Sequence, residues 1–371
     1  MVGGGMKTLD EITRNTKDLV GSGIVWVKEL VEKFDPKNNS VTTDRGTTLQ
    51  YDYLIVATGV QLRFDLIKGA VEALDNRPEV LSNYSPAHVT KTYKAIEAFQ
   101  RGQTAIFTFP GWPIKCAGAP QKIAYIFDDY LRRTNKRDGS TILYNTALPK
   151  MFGVPYYAAP LLELALRRGI KPNFRRNLVE VNGDKQEAVF NLLDEDNKPV
   201  KQETFKYDLL HIGAPCQPQP ALRAAPQDFV DPVGFVTVNK DTLQHVNYAN
   251  VFAIGDASNA PTAKTAAAVA AQVGVLSKNL IAHVNGQPLK TTYDGYTSCP
   301  LVTSNKTVML AEFDYNLQPL ETTPLDQRKE RRSSFFLKNT VMPYLYWNNL
   351  VKGTWHGPKW IRKLSHLGLS K

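Results

Sequence analysis

Apolar residues along the chain gather in short runs that end in glycine turns, with stretches of helical period between them. Residues 23–33 alternate in a way that suits a strand or a short helix. Residues 48–59 predict a strand whose apolar run Tyr53-Leu54-Ile55-Val56 stops at Ala57-Thr58-Gly59, the pattern of a buried strand entering a tight turn. A new unit begins near Lys91: an amphipathic helix through Phe99, a strand over 104–109, a loop rich in proline and glycine, a helix over 120–133 and a strand over 140–144. That alternation predicts a βαβ unit. A helix over 158–168, strands over 178–181 and 188–193, and the run Leu209-Leu210-His211-Ile212-Gly213 complete it. Residues 251–256 predict a third buried strand, followed by an alanine-rich helix from Thr262 to about His283 whose small side chains allow close packing on a sheet or a ligand. Beyond Pro300 the pattern turns basic and aromatic and is broken by Pro324, Pro343 and Pro358.

A chain of 371 residues implies two folding units and room to bury a large cofactor. With 43% apolar and 22% charged residues it is globular in composition. The net charge of +10 is unevenly placed. Residues 328–371 hold ten Lys or Arg and one acid, Glu330, a local excess of +9, which leaves 35 basic and 34 acidic residues in the rest. The same tail holds Phe335, Phe336, Tyr344, Tyr346, Trp347, Trp355 and Trp360, and no nucleic-acid motif accompanies it. A basic, aromatic segment suits an anionic lipid interface, so the expectation is a membrane surface and no nucleic acid. No stretch reads as the roughly 18 to 20 apolar residues needed to span a bilayer. The beginning shows neither a signal-peptide core nor an Arg-rich presequence.

Cys116, Cys216 and Cys299 are too few and too scattered for a secreted disulfide framework, and without a CxxC they encode neither a thioredoxin-like pair nor a zinc ribbon; no metal site is expected. Cys116 lies beside Lys115 and just before a predicted helix start, both of which favour thiolate. Cys299 precedes Pro300 on a loop of Gly, Thr and Ser, where packing gives a cysteine no reason to be. The two are 183 positions apart, so only the fold can join them. Cys216, between Pro215 and Gln217, reads as structural. The strand end Ile254-Gly255-Asp256, with a helix soon after, offers a ligand close backbone approach, amide donors and a carboxylate for hydroxyls. A pyridine-nucleotide domain would place G-x-G-x-x-G after the 104–109 strand and an acid or arginine at the end of the next strand. Here the loop runs Phe109-Pro110-Gly111-Trp112-Pro113-Ile114-Lys115-Cys116 and the strand ends at Asn145, so NAD(P)H is not expected.

Ala57-Thr58-Gly59 before a βαβ unit, and Gly255-Asp256 after it, resemble flavoprotein reductases with two dinucleotide-binding domains. The stretches Pro113-Ile114-Lys115-Cys116-Ala117-Gly118-Ala119-Pro120-Gln121-Lys122 and Tyr293-Asp294-Gly295-Tyr296-Thr297-Ser298-Cys299-Pro300 resemble the two cysteine motifs of mitochondrial-type sulfide:quinone oxidoreductases, as do residues 262–272 and 342–348. The likeness runs from about Gly21 onward. It implies an α/β fold of two Rossmann-like domains: a remnant of an FAD-binding domain over 1–92, an NAD(P)-like domain over 93–217 carrying the first cysteine, a return to the FAD-binding domain over 218–290, and a second-cysteine and membrane segment over 291–371. It also implies that Cys116 and Cys299 form a redox pair bridged by sulfur. Sulfide opens that bridge to leave a persulfide on one cysteine, and two electrons pass through FAD to ubiquinone. The persulfide sulfur goes to a small acceptor such as glutathione or sulfite. Val31, Ala57, Thr58, Gly59, Gly255, Asp256, Lys264 and Thr265 would hold FAD, and Tyr344, Tyr346 and Trp347 would meet quinone or lipid. The implied location is the mitochondrial inner membrane, bound from one side. The G-x-G-x-x-G strand-turn that opens such flavoproteins is missing from these residues, because Gly3-Gly4-Gly5 follows no strand and Thr8 stands where a third glycine is required. The first domain is therefore expected to be incomplete and flavin binding weak or absent, as in a truncated chain. A type II NADH:quinone reductase and an inactive truncated paralogue are the alternatives.

Overall fold

The computed structural model describes residues 1–111 and 113–369. After a stretch without strands, β1 (Val31–Asp35), β2 (Ser40–Thr43) and β3 (Thr48–Gln50) form a small antiparallel sheet. β4 (Leu54–Val56), β5 (Val60–Leu62), α1 (Ala70–Asn76), β6 (Val80–Leu81) and α2 (Pro86–Ala98) follow. Next come β7 (Thr104–Phe109), α3 (Ala119–Arg133), β8 (Thr141–Thr146), α4 (Pro155–Arg167) and β9 (Ile170–Phe174) in strict alternation. An antiparallel meander, β10 (Arg176–Asn182), β11 (Glu187–Leu193) and β12 (Pro199–Lys206), leads to β13 (Leu209–His211), β14 (Cys216–Pro218), α5 (Pro220–Arg223), β15 (Val251–Ala253) and α6 (Ala266–Val284). A hairpin of β16 (Thr297–Val302) and β17 (Val308–Phe313) precedes the tail helices α7 (Arg332–Phe336), α8 (Met342–Leu345) and α9 (Lys359–Ser365). Wide π turns at Leu337–Val341 and Tyr346–Leu350 follow α7 and α8.

The alternating strands and helices build one five-stranded parallel sheet in the order β6-β13-β7-β8-β9. Its centre, β7, is buried along almost its whole length, as expected of a strand covered on both faces. Phe107 on β7 packs against Phe127 of α3 at 5.3 Å, and Phe127 meets Phe99 edge-on at 4.8 Å. Asp128, buried on α3, pairs with Arg132 at 2.9 Å and Arg137 at 2.7 Å. Arg137 also donates to the carbonyls of Ser140, Arg168 and Gly169 and so fixes the turn from α3 into β8. The same α3 packs against β16, which sets the hairpin beside the helix's amino end.

β4 and β15 are parallel neighbours with Val56 opposite Ala253. Ala57-Thr58-Gly59 and Ile254-Gly255-Asp256 therefore leave the sheet at the same end, where α/β proteins seat their ligands. Among the described residues the other edge of β4 has no partner strand, and Tyr53 and Ile55 are exposed there.

Three expectations need correction. Residues 23–30 form neither strand nor helix, and the strand starts only at Val31; Ile24, Val25 and Leu30 are exposed and have no core to order them. The single strand over 48–59 is two, β3 and β4, in different sheets, because the Tyr51 N–H bonds Asn39 and the chain then crosses to pair with β15. Residues 266–284 do make a helix long and apolar enough to cross a membrane, with mean hydropathy 1.3. In the fold its Ala268, Ala270, Gly274, Val275 and Leu276 are buried, as in a core helix.

The tail clips onto this body. Arg362 of α9 turns inward to Asp294 at 2.8 Å, and the His366 ring bonds the Glu321 carbonyl. The opposite side of the same segment carries Trp360, Leu364 and Leu367, spaced four and three apart and 64%, 70% and 88% exposed.

Candidate active site

Cys116 lies on the loop between β7 and α3 with φ of +48°, a conformation that a residue bearing a Cβ adopts only when held there. Its N–H donates to the Lys264 carbonyl at 2.9 Å, which ties the loop to the start of α6. Its carbonyl accepts the Ala119 N–H at 2.8 Å and the Tyr84 hydroxyl at 3.3 Å. Cys299 arrives from the far end of the chain on β16, paired with Ala311. It is a strand residue and not the loop residue expected, because β17 supplies its pairing. Gly118 makes the meeting possible: a Cβ there would stand 2.4 Å from Cys299 Sγ.

The two cysteines are unbridged and stand side by side, close enough for each to set the ionisation of the other. Lys122, one turn into α3, brings its ammonium to 3.6 Å from Cys116 Sγ. The Cys299 side chain beside it, aided by the charges of Lys122 and Lys338, holds the Cys116 thiol well below the usual thiol range despite burial. The neighbouring Cys116, with burial, pushes Cys299 well above it. The two shifts favour a thiolate at Cys116 and a thiol at Cys299. Burial works against the Lys122 ammonium, but the two sulfurs outweigh it and the group stays charged. Burial, then the Lys122 charge, lowers Lys338.

Sequence reasoning found both cysteines but not Lys122, Lys338 or Tyr84. Lys122 was legible in principle as a cation six residues after a cysteine, at a helix start. Lys338 was absorbed into the basic tail, and only the fold turns it inward. The charges that lower Cys116 are those of Lys122 and Lys338 and not, as expected, that of Lys115, which acts on Cys216 and Asp256. Cys216 is buried with its thiol raised by burial, and its N–H bonds the Pro113 carbonyl, so it braces the Cys116 loop.

A crevice too narrow to hold a water lies at the start of α6, tied to the cysteine loop by the Cys116 N–H bond to the Lys264 carbonyl. Gly255, Asp256, Lys264, Thr265 and Gln272 line it. Lys264 Nζ donates to the carbonyls of Asp256 and Ser258, and burial lowers it to about 8. Burial also raises the Asp256 carboxyl. The Gln272 side chain is fully buried. Its Oε1 accepts the Gly255 N–H at 2.7 Å, while Nε2 has no partner. An orphaned buried amide donor, a helix amino end and a glycine turn fit the edge of a flat ring bearing carbonyl acceptors, so these residues suit the ring end of a flavin. Ala57, Thr58 and Gly59 share that sheet end but do not line the cleft. Val31, on β1 opposite Thr43, does not line it either. Asn145, at the end of β8 as expected, is buried and accepts from the Asn173 amide.

A larger cleft of about 980 Å³ lies between the amino-terminal segment and the tail. Lys7, Arg14, Tyr84, Lys338, Tyr344 and Trp347 are among its walls, with Arg14 stacked over Trp347 at 5.0 Å. Tyr346 packs edge-on against Trp347 outside the lining. Lys338 and Tyr84, both in its walls, are also neighbours of Cys116.

No family model matches the chain. In fold it is similar to a chain of the Tetrahymena thermophila mitochondrial ATP synthase assembly, with TM-score 0.82 and 24% identity over 96% of this chain and 86% of that one. It is also similar to the sulfide:quinone oxidoreductase of Aquifex aeolicus, with TM-score 0.72 and 18% identity over 92% and 79%. In sequence it is 47% identical over 371 residues to the mitochondrial sulfide:quinone oxidoreductase of Mus musculus, all of this chain and 81% of that protein. It is 44% identical to that of Dictyostelium discoideum over 96% of this chain and 77% of the relative, and 38% identical to that of Schizosaccharomyces pombe over 97% and 79%. Identity at this level along nearly its whole length places the chain in the mitochondrial sulfide:quinone oxidoreductase family.

Proposed function

We propose that this protein oxidises hydrogen sulfide at the Cys116–Cys299 pair and delivers the electrons to ubiquinone at the mitochondrial inner membrane. The observation that carries this is the meeting, at Gly118, of two cysteines 183 residues apart, with the Lys122 ammonium 3.6 Å from Cys116 Sγ. When the pair is bridged, hydrosulfide attacks Cys299 and expels Cys116. The lower-pKa sulfur is the better leaving group, and Lys122 stabilises the thiolate it becomes. The new S–S bond is a persulfide on Cys299. A nucleophilic acceptor, glutathione or sulfite, then takes the outer sulfur and leaves the second thiolate. Loss of two electrons from the thiolate pair re-forms the bridge. Summed, hydrosulfide and acceptor give the sulfurated acceptor, one proton and two electrons.

Bound FAD would supply two-electron acceptance from the pair and donation to quinone. Gly255, Asp256, Lys264, Thr265 and Gln272 would hold its ring end, with Ala57, Thr58 and Gly59 at the same sheet end and Val31 towards the adenine. The large cleft is the acceptor's route, since its cations Lys7, Arg14 and Lys338 attract an anion and lead it to the sulfurs. Tyr344, Tyr346 and Trp347, with the exposed face of α9, meet lipid or the quinone tail. The division at residues 92, 217 and 290 belongs to the same proposal: it assigns each cysteine to a different unit, so the redox pair forms only when the units pack.

The test is sulfide-dependent quinone reduction by the full chain loaded with FAD. Cys116→Ser and Cys299→Ser should each abolish it, and unchanged turnover in both variants would refute the assignment.

A further inference from the structure

Cys116, in a left-handed conformation, makes three hydrogen bonds, one within its own turn and two with distant parts of the chain. Two are backbone bonds, to Lys264 and Ala119. The third comes from a side chain, the hydroxyl of Tyr84, which donates to the Cys116 carbonyl at 3.3 Å. Tyr84 is 7% exposed and sits between β6 and α2. Its own N–H rests on Ser82 Oγ, which in turn donates to the Ile212 carbonyl at the end of the parallel sheet. The Tyr84 backbone is thus tied to the end of the parallel sheet, and the hydroxyl lies within electrostatic reach of all three cysteine sulfurs. No other side chain hydrogen-bonds the Cys116 backbone among the described residues.

We propose that Tyr84 is a positioning residue for the cysteine chemistry: its hydroxyl clamps the Cys116 carbonyl so that the left-handed turn aims the sulfur between Cys299 and Lys122. Without the clamp the turn relaxes towards ordinary φ, and the sulfur swings away from the ammonium 3.6 Å distant. The geometry stands without any functional assignment; only the name of the reaction it serves rests on the sulfide-oxidising reading.

Tyr84→Phe in the full chain removes one hydroxyl and keeps the ring. Two readouts are independent of flavin: the pH profile of iodoacetamide alkylation at Cys116, and the rate at which diamide closes the Cys116–Cys299 bridge. Losing one hydrogen bond to a buried carbonyl should slow bridge closure roughly three- to tenfold and move the Cys116 profile up by about half to one pH unit, with Cys299 unmoved. A soluble variant whose profile and closure rate match the parent overturns the proposal. If Tyr84→Phe does not fold, 3-fluorotyrosine at position 84 keeps the shape and strengthens the donor. The Cys116 profile should then shift downward, and a stationary profile overturns the proposal equally. Should Tyr84→Phe alter the thiol profile in a protein that oxidises no sulfide, the functional reading fails and the positioning role stands.

Discussion

Replacing Lys122 with methionine keeps most of the side chain's volume and removes the ammonium 3.6 Å from Cys116 Sγ. At an effective dielectric near 20, two unit charges at that distance attract by about 4.6 kcal/mol. That corresponds to an upper bound of about 3.4 pH units on the thiol's midpoint. The full amount is not expected, because Cys299 and the Lys338 charge remain, and Cys299 is the larger influence. An upward move of about one to three units follows. The assay is alkylation of the reduced protein by iodoacetamide from about pH 5.5 to about 10, quantified at each cysteine by mass spectrometry, since the thiolate is the reactive form. In the parent chain Cys116 should react first and remain reactive below the ordinary thiol midpoint of about 8.5. A Lys122→Met profile that overlies the parent's, or a parent in which Cys299 reacts first, would refute the assignment of thiolate and thiol.

Gly118→Ala puts a Cβ 2.4 Å from Cys299 Sγ and 2.8 Å from Leu301 Cδ2, so bridge closure should fall more than about tenfold while stability drops by about 1–3 kcal/mol in urea. Equal closure rates would show that the sulfurs do not need this approach. Substituting Trp360 and Leu364 of α9, and Leu367 just after it, by serine removes the exposed apolar side of this segment but keeps Lys338 and Arg362 in place. Binding to anionic liposomes should weaken roughly ten- to a hundredfold by cosedimentation, and undiminished binding would move the lipid contact elsewhere. Lys264 titrates near 8 in the folded protein against about 10.4 unfolded, so the unfolded chain binds more protons between those values. Its burial penalty is fully present below about 8 and is relieved as pH rises. The parent should gain up to about 3 kcal/mol relative to Lys264→Met between about pH 7.5 and 10.5, read from urea midpoints. Parallel curves for the two proteins would count against a buried, charged Lys264.

Local pattern determined much of this protein. The apolar run of β7, the helix at 119–133 and the glycine-ended strands at Val56 and Ala253 depend on neighbours in sequence, and they formed within a few residues of expectation. The cysteine motifs, long and specific, carried the family assignment, which relatives 38–47% identical uphold. Local pattern failed where the deciding partner is distant. The 48–59 run split because Asn39 and β15 claimed its two halves, and Cys299 joined a strand because β17 lay beside it. It also failed for charge, since Lys115 next to Cys116 seemed to activate it, whereas Lys122 and Lys338 do so from one helical turn on and from the far end of the chain. Sequence spacing orders residues along one dimension, so it determined which groups exist and which elements carry them. Only the tertiary structure decided that two sulfurs, two ammonium groups and the Tyr84 hydroxyl share one buried site, because a pKa and a strained turn depend on distances through space.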